Sequence, residues 1–435
     1  MTIKGQIVMK DNVPSMVMHV KGPQKATGTI KVSGAKNAVL PIMAATVLTE
    51  DTVVLKNVPQ IEDVNTMIEI LTFIGKKVER TGDMLVILQD SLINPEVPYE
   101  PVRKMRASFN IYGPLVVVAK KAKVSLPGGC ALGARPVNFH IEGLLKLGIE
   151  STVEHGYVIG ALKSSEKNVS INLPFPSVGA TEHIITSAVL LDGVTTTISN
   201  CALEPEILDL VNFLKGMGAD IRGGGTPVVT VKGVKKLSGI EYSVIYDRIE
   251  AGTFAVMGAL LGENLCIDGI EYDHLQSLFS LFDDMNFNYK YDKHKKQMIV
   301  SAMDFSYLKS VSVETQPYPG FATDLQPQLM VMLSLIPGRS ILTENVFKSR
   351  FNHVDELNRM GAKIKVEGNT AIIDGVTNLS GAQIMATDLR AAAALVIAAL
   401  NACGESQISE IDHLFRGYED IKNKFSSIGI KVDLK

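Results

Sequence analysis

The sequence predicts an α/β protein assembled from six similar units of about 70 residues, divided naturally into two groups of three. Three observations carry this: a repeated helix ending, a repeated polar helix start, and alternating or β-branched segments between them. The endings are Ile70 to Gly75, Leu144 to Gly148, Phe213 to Gly218, Leu357 to Gly361 and Phe425 to Gly429, and a sixth copy, Phe282 to Asn286, closes on Asn. Glycine and asparagine are the residues that best tolerate the left-handed backbone just beyond a helix C-terminus. Successive closing residues lie 73, 70, 68, 75 and 68 positions apart, a period that marks a repeated supersecondary unit.

Each unit also carries a second helix whose start aligns with the others. These starts read Gly34-Ala35-Lys36-Asn37, Met105-Arg106-Ala107-Ser108, Gly179-Ala180-Thr181-Glu182, Arg248-Ile249-Glu250-Ala251, Ala322-Thr323-Asp324-Leu325 and Ala386-Thr387-Asp388-Leu389-Arg390. Apolar runs such as Ala38 to Leu48 and Ile184 to Leu191 follow, as expected of helices buried on most sides. Helix N-termini expose unsatisfied N–H groups and a positive dipole end, so several converging starts would make an anion site. Simple capping is the competing explanation, with Thr181, Thr323 and Thr387 as caps. Capping does not account for Lys36, Arg106 and Arg390, because a cation at a helix start opposes the dipole.

Strands are expected at Val53 to Leu55, Val169 to Leu173 and Thr195 to Ile198, which alternate or run β-branched. Helices and alternating strands in every unit imply α/β, with a boundary between the third and fourth units near Tyr242 to Asp247.

Composition limits the function classes. The 435 residues exceed one ordinary core, and 46% apolar with 20% charged residues is normal for a globular chain. A formal charge of −3 gives no basic signature for nucleic acid. Ala391 to Leu400, an apolar run of ten, suits a buried helix and is too short to span a bilayer. The N-terminus lacks a sustained apolar stretch, so neither secretion nor a membrane is expected. Cys130, Cys201, Cys266 and Cys403 are scattered, without the spacing of a zinc site or disulfide framework, which fits a reducing cytoplasm. No P-loop, H-E-x-x-H or dinucleotide glycine pattern occurs, so neither a metal nor a cofactor is expected.

One segment stands apart from the repeat. From Ser125 to Asn138, Gly128, Gly129 and Gly133 surround Cys130, and Arg135 follows before Pro136. A glycine-rich loop is an odd place for a structural cysteine, although a lone cysteine is commonly a small buried hydrophobe. Arg135 adds an always-charged group suited to carboxylate or phosphate.

These motifs, together with Gly320 to Gln326 and Arg416-Gly417-Tyr418-Glu419, resemble the enolpyruvyl transferases over nearly the full chain. The resemblance implies an inside-out α/β barrel of two domains, one from residues 1–36 and 245–435, the other from 37–244 with the Cys130 loop. It implies addition of a sugar 3′-hydroxyl of UDP-N-acetylglucosamine to phosphoenolpyruvate and loss of phosphate, in peptidoglycan precursor synthesis, without an obligate protein partner. Lys36, Arg135 and Arg416 match the phosphoenolpyruvate-binding positions, Cys130 the proton donor, and Asp324 the group that meets the sugar hydroxyl. Arg106, Arg350 and Arg390 match further arginines around the cleft, with Asp388 in the Arg390 motif. Asn37, His140, Ser177, Val178, Gly179, Val346 and Phe347 match nucleotide-sugar contacts. The related shikimate-pathway enzymes lack a cysteine loop of this kind. A catalytically silent sugar-nucleotide sensor would not need Cys130, Asp324 and the arginines together, and a repeat scaffold would not need cations at helix starts.

Overall fold

Every unit contributes a four-stranded sheet of one pattern, a parallel pair extended by two antiparallel strands, and the pattern repeats six times. A computed structural model of the chain describes residues 16–127 and 137–435. In one sheet Asn168–Asn172 runs parallel to Thr195–Ser199, which pairs antiparallel with Val228–Lys232, itself antiparallel to Asp220–Arg222. The expected strands at Val53, Val169 and Thr195 are the strands Val53–Lys56, Asn168–Asn172 and Thr195–Ser199.

The helices, in chain order, are α1 (Lys36–Ala45), α2 (Glu62–Phe73), α3 (Tyr99–Lys104), α4 (Tyr112–Ala119), α5 (Asn138–Lys146), α6 (Val178–Ala188), α7 (Pro205–Gly216), α8 (Arg248–Leu261), α9 (Gln276–Asp284), α10 (Gln326–Leu333), α11 (Val354–Arg359), α12 (Leu389–Asn401) and α13 (Ile421–Ser427). Gly75, Gly148, Gly218, Asn286, Gly361 and Gly429 follow α2, α5, α7, α9, α11 and α13, all with φ between 61° and 105°. The residue that identified the repeat therefore terminates the helix by left-handed geometry in all six units.

The other helix of each unit lies inside. All residues from Ile249 to Leu261 of α8 and from Arg390 to Leu400 of α12 are buried, whereas Thr195–Ser199 buries only Thr196 and Ile198. Helices apolar on every side must be enclosed, and half-buried strands must face solvent, so the sheets wrap the helices. This is the inside-out α/β barrel. None of the described helices is long and apolar enough to cross a membrane.

Two hydrophobic cores divide these residues. One gathers Ala35 to Val244, and the other combines Met18 to Val32 with Ile249 to Val432. The chain passes between the cores twice, and the two passages pair: Ala35 N donates to Ile245 O at 2.8 Å and Asp247 N to Ser33 O at 2.9 Å. Lys36 follows one passage and Arg248 the other, so the pairing sets the starts of α1 and α8 side by side.

Candidate active site

Lys36, in the first turn of α1, extends its ammonium to within 2.7 Å of Asp63 Oδ2 on α2. Arg416, at the end of the 3-10 turn Ile411–Arg416, binds the same carboxylate from the other core, Nε to Oδ1 at 3.0 Å and Nη2 to Oδ2 at 3.4 Å. The Asp63 side chain is only 3% exposed. Burial favours the neutral acid, but Lys36 and Arg416 outweigh it and hold Asp63 below the ordinary carboxylate range. Burial also depresses the Lys36 pKa; Asp63 opposes this, while Arg416 and Arg390 add to it. Asp247 caps α8 and accepts the Lys36 backbone N–H at 3.1 Å, fixing the approach of α1.

The second cluster is centred on Asp324, in the 3-10 turn Thr323–Leu325 ahead of α10. Arg350 Nη1 reaches Oδ1 at 2.7 Å and Arg390 Nη2 reaches Oδ2 at 2.9 Å. Both arginine side chains are 5% exposed, but that of Asp324 is 26% exposed, so its carboxylate is the open member. Burial pushes its pKa up, yet Arg390 and Arg350 more than reverse this and hold the carboxyl far below its usual range. Asp388 caps α12 through the N–H groups of Arg390 and Ala391, and this seats Arg390 in the first turn. Val346 and Phe347 donate their backbone N–H groups to Glu344 at 2.9 and 2.8 Å, and Glu344 also accepts the hydroxyl of Thr323. That buried glutamate ties their loop to the turn bearing Asp324.

A further group lies wholly within the first core. Ser177 caps α6, placing Val178 and Gly179 in its first turn, and His140 of α5 packs against Gly179. Burial pushes the His140 pKa down to about 3, and Arg106 adds to the effect, so His140 is neutral. Asn37 is half-buried in the first turn of α1. Cys130 and Arg135 lie outside the described residues.

The capping expectation requires correction. The caps are Ser177, Asp247 and Asp388, whereas Thr181 accepts from Ala202 N, Thr323 donates to Glu344, and Thr387 donates to Asp388. Lys36 and Arg390 are each paired with a carboxylate, Asp63 and Asp324, and since each carboxylate faces two cations both clusters keep a net positive charge. Asp63 reads in the sequence as an ordinary acid in the first turn of a helix, and Glu344 and Asp247 are equally silent.

The profile of the EPSP synthase family (3-phosphoshikimate 1-carboxyvinyltransferase) matches residues 20–425. The chain belongs to this family. Proteins named UDP-N-acetylglucosamine 1-carboxyvinyltransferase from Thermotoga petrophila and Thermotoga maritima are each 50% identical to it over 415 residues, covering 95% of this chain and 97% of theirs. Among solved structures, the enolpyruvyl transferase NikO from Streptomyces tendae superposes with a TM-score of 0.88 at 23% identity, over 97% of this chain and 99% of its own. EPSP synthase from Acinetobacter baumannii gives 0.72 at 16% identity, over 97% and 100%. These two likenesses establish the inside-out barrel.

Proposed function

We propose that the protein transfers the enolpyruvyl group of phosphoenolpyruvate to the 3′-hydroxyl of UDP-N-acetylglucosamine, releasing phosphate, as the first committed step of peptidoglycan precursor synthesis in the cytoplasm. The observation that carries this reading is 50% identity, over 95% of the chain, to proteins of that name. The two carboxylate–cation clusters supply groups suited to the chemistry.

Phosphoenolpyruvate is a compact anion, and Lys36 and Arg416 are assigned to it together with Arg135, which enters from sequence resemblance. The sugar oxygen bonds to C2, C3 takes a proton, and loss of phosphate from C2 with loss of a proton from C3 restores the double bond. Cys130 is assigned the proton transfer to C3, again from the resemblance, and Asp324 the hydroxyl. With both arginines in place Asp324 is a weak base, and it serves to accept and orient the hydroxyl hydrogen bond. An anionic substrate that draws Arg390 or Arg350 away would raise its basicity at the moment the proton must leave. Asn37, His140, Ser177, Val178, Gly179, Val346 and Phe347 are assigned to the nucleotide sugar, and Arg106 to the cleft around it.

Assigned groups stand on both cores, Lys36 and Asp63 on one and Arg416, Asp324 and Arg390 on the other, so substrate should draw the two domains together. Phosphate release from phosphoenolpyruvate, with UDP-N-acetylglucosamine or shikimate 3-phosphate as acceptor, tests the reading. Release with the first alone is expected; release only with the second would assign the chain to the other branch of its family. Cys130→Ser should be inactive, and Cys130→Asp should retain turnover at lower pH; a fully active Cys130→Ala would remove that residue from the chemistry.

A further inference from the structure

His140 and His183, on α5 and α6, are both buried and meet Nδ1 to Nδ1 at 2.9 Å. On the far side of His183, Nε2 lies 2.7 Å from the backbone nitrogen of Gly113 on α4. A backbone N–H can only donate, so His183 Nε2 bears its lone pair and the ring is not protonated there. The single proton of a neutral ring then sits on Nδ1, which donates to His140 Nδ1. Having become the acceptor, His140 Nδ1 carries no proton, and the proton of His140 resides on Nε2. Flipping the His183 ring would set carbon atoms against both partners and lose both hydrogen bonds, so the two contacts define its orientation together.

The surroundings enforce this chain of donors. A Cβ on Gly113 would fall 2.0 Å from Ser187 Oγ and 2.7 Å from His183 Nε2, so a residue with a side chain could not bring its N–H so near. Phe109 makes T-shaped contacts with both imidazoles, with centroids 5.6 Å from His140 and 5.4 Å from His183. Burial keeps both rings neutral, Arg106 reinforcing this for His140 and His140 for His183. Glu182, beside His183 on α6, turns its carboxylate to Asn110 Nδ2 at 2.7 Å, and Glu142 and Lys146 of α5 are exposed. The Nε2 edge of His140 faces the first turn of α6, where a Cβ on Gly179 would lie 3.2 Å from it.

We propose that His183 is a positioning residue that fixes His140 as its Nε2–H tautomer, so that an uncharged hydrogen-bond donor meets an oxygen of the nucleotide sugar beside Ser177 to Gly179. This rests on the assignment of His140 and Ser177 to Gly179 to that substrate. Such a donor keeps its proton and its neutrality across the physiological range, unlike an ordinary histidine, whose charge changes there.

Ring-15N-histidine labelling of the full chain reads each tautomer from long-range proton–nitrogen couplings, with His140→Gln and His183→Gln variants identifying the signals. Nδ1–H on His183 and Nε2–H on His140, neither titrating between about pH 6 and 8, is the expected result. An Nδ1–H tautomer of His140, or titration of either ring in that range, overturns the relay whether or not any variant folds. His183→Phe keeps the ring volume without the donor. It should raise KM for UDP-N-acetylglucosamine about tenfold, the scale of one hydrogen bond, with kcat near normal. An unchanged KM with an unchanged His140 tautomer would refute the positioning role of His183. Should the tautomers be as stated while His140→Phe, which has no donor, leaves that KM unaltered, the assignment of His140 to the substrate fails and the relay stands.

Discussion

Asp63 and Asp324 are each clasped by two cationic side chains at nearly the same distances, yet they are built for different work. Asp63 is sealed, and its partners come from two cores, Lys36 from one and Arg416 from the other. Asp324 takes both arginines from its own core and keeps a quarter of its side chain open. Both carboxyls stay ionised because cations outweigh burial. Access is what separates them: a sealed carboxylate can only brace its partners, whereas an open one can also accept a substrate hydroxyl. The same electrostatic unit thus spans two cores at Asp63 and leaves a carboxylate open to a ligand at Asp324.

Replacing the open carboxylate should have the largest effect. Asp324→Asn keeps the shape and removes the charge, and kcat for phosphate release should fall by at least about a hundredfold, the usual scale for losing an acid–base group, with a smaller change in KM for phosphoenolpyruvate. Near-normal turnover would make Asp324 a brace like Asp63 and erase the distinction. The same substitution in the sealed cluster should act through binding. Asp63→Asn should lower kcat/KM for phosphoenolpyruvate about tenfold, as expected for a lost charge-assisted hydrogen bond. It should also move the alkaline limb of the pH profile. Lys36 binds an anion only while protonated, and Asp63 is the neighbour that raises its pKa against burial and two arginines. Removing that support lowers the Lys36 pKa further, so activity should be lost at lower pH than in the unaltered protein. An unmoved alkaline limb would mean that Lys36 does not govern it.

The two clusters also mark how far the sequence could be read. The sixfold repeat was legible because a left-handed residue after a helix is a local requirement, written at Gly75, Gly148 and their counterparts regardless of what packs nearby. Lys36 and Arg390 were legible because a cation at a helix start is locally unfavourable. Asp63 and Glu344 were not, since an acid in the first turn of a helix or at the end of a strand breaks no local rule; their importance arises from partners far along the chain, Arg416 lying 353 positions from Asp63. His183 was hidden for the same reason, being one more residue of a buried helix until Gly113 and His140 are brought to it.

A buried carboxylate without a cation completes the comparison and predicts a smaller effect, on stability. Glu182 is 5% exposed; burial pushes its pKa up to about 8, with Asn110 opposing and Glu206 and Glu204 adding to the rise. Between its ordinary value and 8 the folded protein keeps a proton that the unfolded chain releases, so stability must fall as pH rises from about 5 to 8. Glu182→Gln, neutral throughout and still able to accept from Asn110, should melt higher than the unaltered protein at pH 8. The gap should close near pH 5, and each kcal/mol corresponds to about 2–4 °C for a domain of about 200 residues unfolding by itself. Calorimetry across that range checks it; a constant gap would show that Glu182 is ionised in the folded state.

The smallest effect is expected where the geometry is as good but burial is missing. Arg339 binds Asp374 in a two-pronged contact, Nε to Oδ1 at 2.8 Å and Nη2 to Oδ2 at 3.2 Å, closely matching the grip of Arg416 on Asp63. These side chains are 65% and 46% exposed, against 3% for Asp63. Water and salt screen an exposed pair, and holding two long side chains in one arrangement costs entropy, so such pairs contribute little despite favourable distances. Arg339→Ala should therefore leave the melting temperature and turnover unchanged within error, at low salt and at high salt alike. A drop of several degrees, not relieved by Arg339→Lys, would mean that geometry alone makes these pairs strong. The contrast between Asp63 and Asp324 would then have to be sought in their partners and not in their exposure.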